Sequence, residues 1–204
     1  MHGTRNCQEP SIFVAFEENS RRIIANTNSF NWKLEELVQR KKLYFIDAQP
    51  SPDLIQSGSF DLCGMLSALS ALSALSALSA LSALSALSAQ AKSMGAQRIV
   101  FDALDIVLAL LPDEASKRRE VYRLHEWLLA HELTGLITAK SGEVENNSPA
   151  QPPFGFMQFM VDCSVKLNHR VSMGVSQRNL RVQKFRGSSF DENESPFIIG
   201  KNGF

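Results

Sequence analysis

At 204 residues, with 44% hydrophobic and 21% charged side chains, the chain has the composition of an ordinary globular protein able to bury one core. Its 21 Lys and Arg balance 21 Asp and Glu, and a net charge of zero excludes a nucleic-acid binder that works by bulk electrostatics. Cys7, Cys63 and Cys163 are scattered without metal-ligand spacing, and the polar first ten residues hold no apolar signal core, so a reducing, cytoplasmic setting is expected and secretion is not.

Residues 12–16, Ile-Phe-Val-Ala-Phe, form a β-branched and aromatic run that stops abruptly at Glu17 and Glu18. The pattern predicts a buried strand with acids at its C-terminal end. In open α/β sheets ligands bind along that edge. Two adjacent carboxylates there suit a water-activating base beside a phosphate-bound metal, although a solvated pair of loop acids has the same pattern. Residues 21–30 have helical spacing, with Ile23, Ile24 and Thr27 on one side. Asn31 and Trp32 turn the chain, and Leu34, Leu37 and Val38 predict a second short helix closed by Arg40, Lys41 and Lys42. A second buried strand, 43–47, again ends in an acid, and Pro50 and Pro52 mark the loop after it.

Residues 60–89 read as helix, and 98–102 as a third apolar strand ending in an acid, Asp102. An amphipathic helix follows over 114–131, with Val121, Leu124, Leu128 and Leu129 as its core-facing stripe. A fourth strand, 136–139, ends near Lys140, and a loop rich in Gly, Asn and Pro spans 141–153. Residues 154–160 predict a short helix, and 163–168, 178–184 and 197–199 predict strands near the sheet edge. Strands that alternate with helices imply a parallel sheet covered on both faces. His2, His125, His131 and His169 have no ligand spacing; His125 and His131, six apart on one helix, do not share a face.

Residues 66–89 repeat Leu-Ser-Ala eight times without error. Leu and Ala favour helix, but three residues turn it by about 300°, so the leucines drift back about 60° per repeat and form no single apolar face. As one helix the repeat would be a rod of roughly 36 Å, too long to lie along one sheet. Slippage of a tandem repeat in the gene is the simplest origin. A membrane span has the right length, but one serine in three argues against it. Self-association through exposed leucines is the other alternative.

Several stretches together resemble the KaiC family of RecA-like ATPases, which includes the circadian clock protein. They are residues 9–18 (EPSIFVAFEE), Ser29 to Trp32, 41–48 (KKLYFIDA), Phe60 to Leu62, and 98–111 (RIVFDALDIVLALL). Residues 120–140 (EVYRLHEWLLAHELTGLITAK), 155–170 (GFMQFMVDCSVKLNHR) and 180–190 (LRVQKFRGSSF) complete the set. The resemblance implies an α/β fold, a RecA-like P-loop NTPase core with a mostly parallel sheet. It further implies ATP and Mg2+ as cofactors, and a hexameric ring with nucleotide held between subunits. It makes Glu17 the general base and Glu18 its support, and likens Asp102 to the Walker B acid that faces magnesium. It sets Ser29 against the nucleotide, and Lys184 and Arg186 across to a neighbour's ATP, where cations stabilise the transferring phosphoryl group. Phe185, Ser188 and Phe190 fall beside base and ribose in the same comparison. Without the resemblance, 180–190 would read as a basic edge strand.

Three features depart from the family pattern. No Gly-x-x-x-x-Gly-Lys-Ser/Thr motif occurs in the chain, and in relatives it lies upstream of the position of Glu9. The chain is therefore expected to be one partial domain without the first strand and phosphate loop, short of a central strand and weak in ATP binding. Ala103 stands where relatives often carry serine. Gln158, Phe159, Met160 and Val161 precede Asp162 where the clock protein's second domain has adjacent hydroxyls, so autophosphorylation there is not expected. The region of Phe154, Phe156, Phe159 and Arg170 faces the ring channel in the wider RecA superfamily, but zero net charge argues against nucleic acid. Two functions follow: ATP hydrolysis or phosphoryl transfer at subunit interfaces, or a non-catalytic module that joins rings of full-length relatives or self-associates.

Overall fold

In the computed structural model, which describes residues 2–50, 81–140, 154–201 and 203, the runs rich in β-branched and aromatic residues become strands. The described residues fall into two compact units, Met1–Asn28 with Trp32–Gly142, and Ser29–Asn31 with Glu143–Phe204.

In the first unit, β1 (Ser11–Ala15), β2 (Leu43–Asp47), β3 (Arg98–Asp102) and β4 (Thr134–Ile137) form a four-stranded sheet in the order β2-β1-β3-β4. Every pairing is parallel, and Ala15 lies opposite both Asp47 and Asp102. The strand ends are therefore flush, and the residues after them leave the sheet from one edge. Ile12, Val14, Ile99 and Phe101 are fully buried, and Phe16 stacks on Phe101 with ring centroids 6.5 Å apart. Ser11 and Ala15, on the opposite face of β1, are buried as well. Burial on both faces explains why β1 is an unbroken apolar run rather than an alternating one. The outer strand β4 exposes Thr134, Gly135 and Leu136.

Helix α1 (His2–Asn6) precedes β1, and helices α2 (Ser20–Thr27), α3 (Leu34–Gln39), α4 (Leu81–Met94), α5 (Leu104–Leu108) and α6 (Glu114–Ala130) lie between the strands in the chain, with a 3-10 turn at Asn28–Phe30. Side-chain caps start two of them. Asn19 accepts the Arg22 N–H at the head of α2, and Asp113 accepts the Ser116 N–H at 2.7 Å at the head of α6. Along α6, Val121, Leu124, Trp127 and Leu128 are buried. Leu129, expected in that stripe, is 59% exposed. It lies one residue, about 100°, beyond Leu128, and Trp127 takes the inward position instead.

Helix α5, which no sequence pattern singled out, buries Leu104, Val107 and Leu108 completely. Helix α4 carries the last three Leu-Ser-Ala units and runs past them to Met94. It is anchored by Leu87 and Ala91, four apart on one face, while Ser88 Oγ accepts the Trp127 indole N–H at 3.1 Å. The earlier repeats, the rest of the helix expected from residue 60 and the loop expected over 141–153 lie outside the described residues. Among those described, no helix is long and apolar enough to cross a membrane.

The second unit corrects one expectation. The late strands do not join the edge of the parallel sheet but form an antiparallel sheet of their own, in the order β5-β6-β7. Strands β5 (Cys163–Ser172) and β6 (Val175–Phe185) are longer than expected and are joined by a two-residue turn. Met173 and Gly174 both have positive φ there, 49° and 76°, which matches the strand twist. So short a link can only pair strands antiparallel, because parallel neighbours need a crossover of a dozen or more residues. The third strand is β7 (Ser195–Pro196), not residues 197–199; of these, Phe197 gives its N–H to Arg178 O at 2.9 Å. Helix α7 (Met157–Met160) precedes the hairpin after a turn at residues 154–156.

Phe101→Ala is expected to cost about 3–5 kcal/mol, because it empties a fully buried site and removes the stacking partner of Phe16. Urea unfolding followed by circular dichroism measures this.

Candidate functional site

The backbone ladder continues past the strand ends and carries the next residues to one edge. Phe16 N–H donates to Asp102 O at 3.2 Å, Ala48 N–H to Ala15 O at 2.9 Å, and Thr138 N–H to Phe101 O at 3.0 Å. Gln49 Nε2 donates to Ala15 O at 3.2 Å and to Glu18 O at 2.7 Å, which fixes the bend after β1. Glu17, Glu18, Asp47, Asp102, Thr138 and Lys140 therefore share the carboxyl edge of the parallel sheet, where open α/β sheets bind ligands.

Each acid on that edge has a definite partner. Glu17 Oε1 accepts from Lys140 Nζ at 2.8 Å, and both side chains are largely exposed. Glu18 faces α2, with Arg22 at 3.9 Å and Asn26 Nδ2 at 3.3 Å. Asp47 accepts the Ser20 N–H at 2.6 Å and its hydroxyl at 2.9 Å. Asp102 Oδ1 accepts the Thr138 hydroxyl at 2.7 Å. The hydrogen bond that Lys140 donates to Glu17, with the charge of that carboxylate, raises the Lys140 ammonium above its ordinary range, and the Asp105 carboxylate adds a smaller push. Asp105 keeps one buried oxygen without a hydrogen-bond partner.

Among the described residues, no group of three or more His, Cys, Asp or Glu is placed to hold an ion. Magnesium does not require such a cage. It keeps most of its waters and takes one or two carboxylates together with substrate phosphates. Asp102 fits that role, because its second carboxylate oxygen has no hydrogen-bond partner among the described residues.

The other predicted residues belong to the second unit. Ser29 is exposed in the 3-10 turn. In the second unit, Lys184 Nζ donates to Gln158 O at 2.9 Å and to Phe159 O at 3.3 Å. Arg186 donates to Phe159 O and to Asp162 Oδ1, both at 3.3 Å. Their convergence on one carbonyl agrees with the alternation that puts them on one face. The Phe185 ring lies over Gly187, where an added Cβ would come within 2.8 Å of its tip and push the half-exposed ring aside. The Ser188 hydroxyl donates to Ser189 O at 3.1 Å, and Phe190 is half-buried.

Two of the histidines have structural partners among the described residues. His131 stacks on Trp127 at 4.7 Å and bonds its carbonyl, and His169 Nε2 pairs with Ser176 Oγ. Gln49, Asp105 and Thr138 were not singled out from sequence, and Asp47 and Lys140 only as the ends of strands. The strand-end rule that pointed to Glu17 and Asp102 covers Asp47, Thr138 and Lys140 as well.

Parallel strands with acids on one carboxyl edge and helices between them define an open α/β core and agree with a RecA-like one. A family model described as "ATPase: KaiC" matches residues 1–204, and the chain belongs to that family. It is 29% identical over 199 residues to the "Circadian clock protein KaiC2" of Synechocystis sp., covering 96% of this chain and 30% of that protein. It is 30% identical over 203 residues to the "Circadian clock oscillator protein KaiC" of Prochlorococcus marinus, covering 99% of this chain and 36% of that protein. A protein of the same name from Rippkaea orientalis is also 30% identical, with 99% and 35% covered. The chain spans about a third of the length of these curated relatives.

In Glu17→Gln, the Lys140 ammonium should titrate lower, back toward the ordinary lysine range, because its raising partner is gone. Cε chemical shifts followed against pH read this directly. The small stabilisation from the pair is present below the unfolded lysine pKa and is lost as pH rises through the higher folded value.

Proposed function

We propose that this chain supplies the acidic side of a magnesium–ATP site between subunits of a homo-oligomeric, hexameric ring in the cytoplasm, and that the site hydrolyses ATP or transfers its γ-phosphoryl group. One observation carries the proposal: Glu17 and Asp102 leave neighbouring parallel strands at the same edge, joined there by the Phe16–Asp102 backbone bond.

Glu17 acts as the general base. Its carboxylate holds the attacking water in line and accepts its proton, while the Lys140 ion pair limits where that carboxylate can point. Glu18 supports it from the same bend, and Asp102 would hold magnesium. Magnesium, when bound, neutralises charge on the β- and γ-phosphate oxygens. Lys184 and Arg186 serve the neighbouring subunit's nucleotide, with Phe185, Ser188 and Phe190 beside base and ribose and Ser29 against the nucleotide. Membership of the KaiC family supports nucleotide binding, and the names of the relatives suggest a signalling or clock-related role. No hydroxyl lies among the four residues before Asp162, so the reading favours hydrolysis over autophosphorylation there.

Glu17→Gln is expected to lower ATP turnover by about 10²–10⁴-fold while leaving binding of a non-hydrolysable analogue near wild type. Phosphate release and calorimetry measure the two quantities. A wild-type chain that binds no nucleotide would support the non-catalytic interaction module instead. If the cations act on a neighbour, mixing inactive Glu17→Gln with inactive Arg186→Ala should restore part of the activity, since some interfaces then pair intact residues. Steady-state turnover of the mixture reads this, and no recovery would place the cations in cis.

A further inference from the structure

Thr138 is exposed, yet all its polar groups are engaged, and every partner belongs to the end of β3, the turn after it or the first residue of α5. Its hydroxyl accepts the Ala103 N–H at 2.8 Å and donates to Asp102 Oδ1 at 2.7 Å. Its own N–H donates to Phe101 O, and its carbonyl accepts the Leu104 N–H, both at 3.0 Å. A hydroxyl has one proton. Because the Ala103 N–H takes up a lone pair, that proton is directed to the carboxylate.

The backbone reinforces the arrangement. Ala103 sits at φ 60° and ψ 48°, a left-handed conformation that costs a non-glycine residue about 1 kcal/mol. With that turn in place, the Ala103 N–H meets the same hydroxyl that holds Asp102. One oxygen of Asp102 is thus fixed from β4, and the other has no partner among the described residues.

We propose that Thr138 is a positioning residue for Asp102, holding the carboxylate by Oδ1 so that Oδ2 is presented to the hydration shell of magnesium. The inference rests on the magnesium role proposed above for Asp102. Groups behind a metal ligand typically set 10–100-fold of its metal affinity, roughly, by fixing its orientation.

The test is a magnesium titration of the chain at a fixed concentration of a non-hydrolysable ATP analogue, with parallel binding in EDTA and thermal melts. Thr138→Val and Thr138→Ala should raise the half-saturating magnesium concentration about 10-fold, with EDTA binding unchanged. Thr138→Ser keeps the proton and should match wild type. A role in the turn alone would lower the melting temperature without moving the magnesium midpoint. An unmoved midpoint in a folded Val or Ala variant, while Asp102→Asn shifts it, overturns the role of Thr138 and leaves that of Asp102 intact. If neither variant folds, Thr138→Cys decides, because its thiol is only a weak donor: a raised midpoint supports the inference, and an unmoved one overturns it. An unmoved midpoint in Asp102→Asn, or no magnesium-dependent binding by wild type, overturns both.

Discussion

The parallel register that aligns Ala15 with Asp47 on one side and Asp102 on the other is the constraint on which the candidate site depends. It holds because the inner strands bury both faces. A shift of one residue would turn Ile12, Val14, Ile99 and Phe101 out of their layer, and burial on each side forbids it. With the strand ends flush, short polar segments need only leave the sheet for their carboxylates to gather on one edge. The core does the positioning, and the exposed ion pairs on that edge, each worth little alone, refine it.

Partners on that edge come from chain-distant elements. Lys140 lies after β4 and Glu17 after β1; Ser20 opens α2 and Asp47 ends β2. Thr138 ties the end of β4 to the turn after β3, and Gln49 ties the segment after β2 to the bend after β1. The edge is thus a network in which Glu17 and Asp102 are each held by a residue from another part of the unit, while the Glu18 side chain is held by α2, next to it in the chain. Ala103, in its left-handed turn, belongs to the same network although its side chain carries no polar group.

The repeat shows the limit of periodicity. Its three-residue period spreads leucines around the helix, yet the last unit docks because Leu87 and Ala91 happen to align where the repeat gives way to ordinary sequence. In the second unit, Lys184 and Arg186 converge on the carbonyl of Phe159, so the face that alternation gave them is already an organised polar surface.

The amino-acid sequence alone was enough to place β2 and β3 to the residue and β1 within one, because apolar runs ending in acids are a local pattern. Glu17 and Asp102 were legible for the same reason. Strand order, the separate antiparallel sheet, the inward turn of Trp127 in place of Leu129 and the short helix α5 depended on which surfaces meet, and no local pattern holds that information. Only the tertiary structure showed that Lys140 reaches Glu17 and that Thr138 grips Asp102. Such contacts join residues 123 and 36 positions apart, and they exist only once the burial of apolar strands has brought those ends of the chain together.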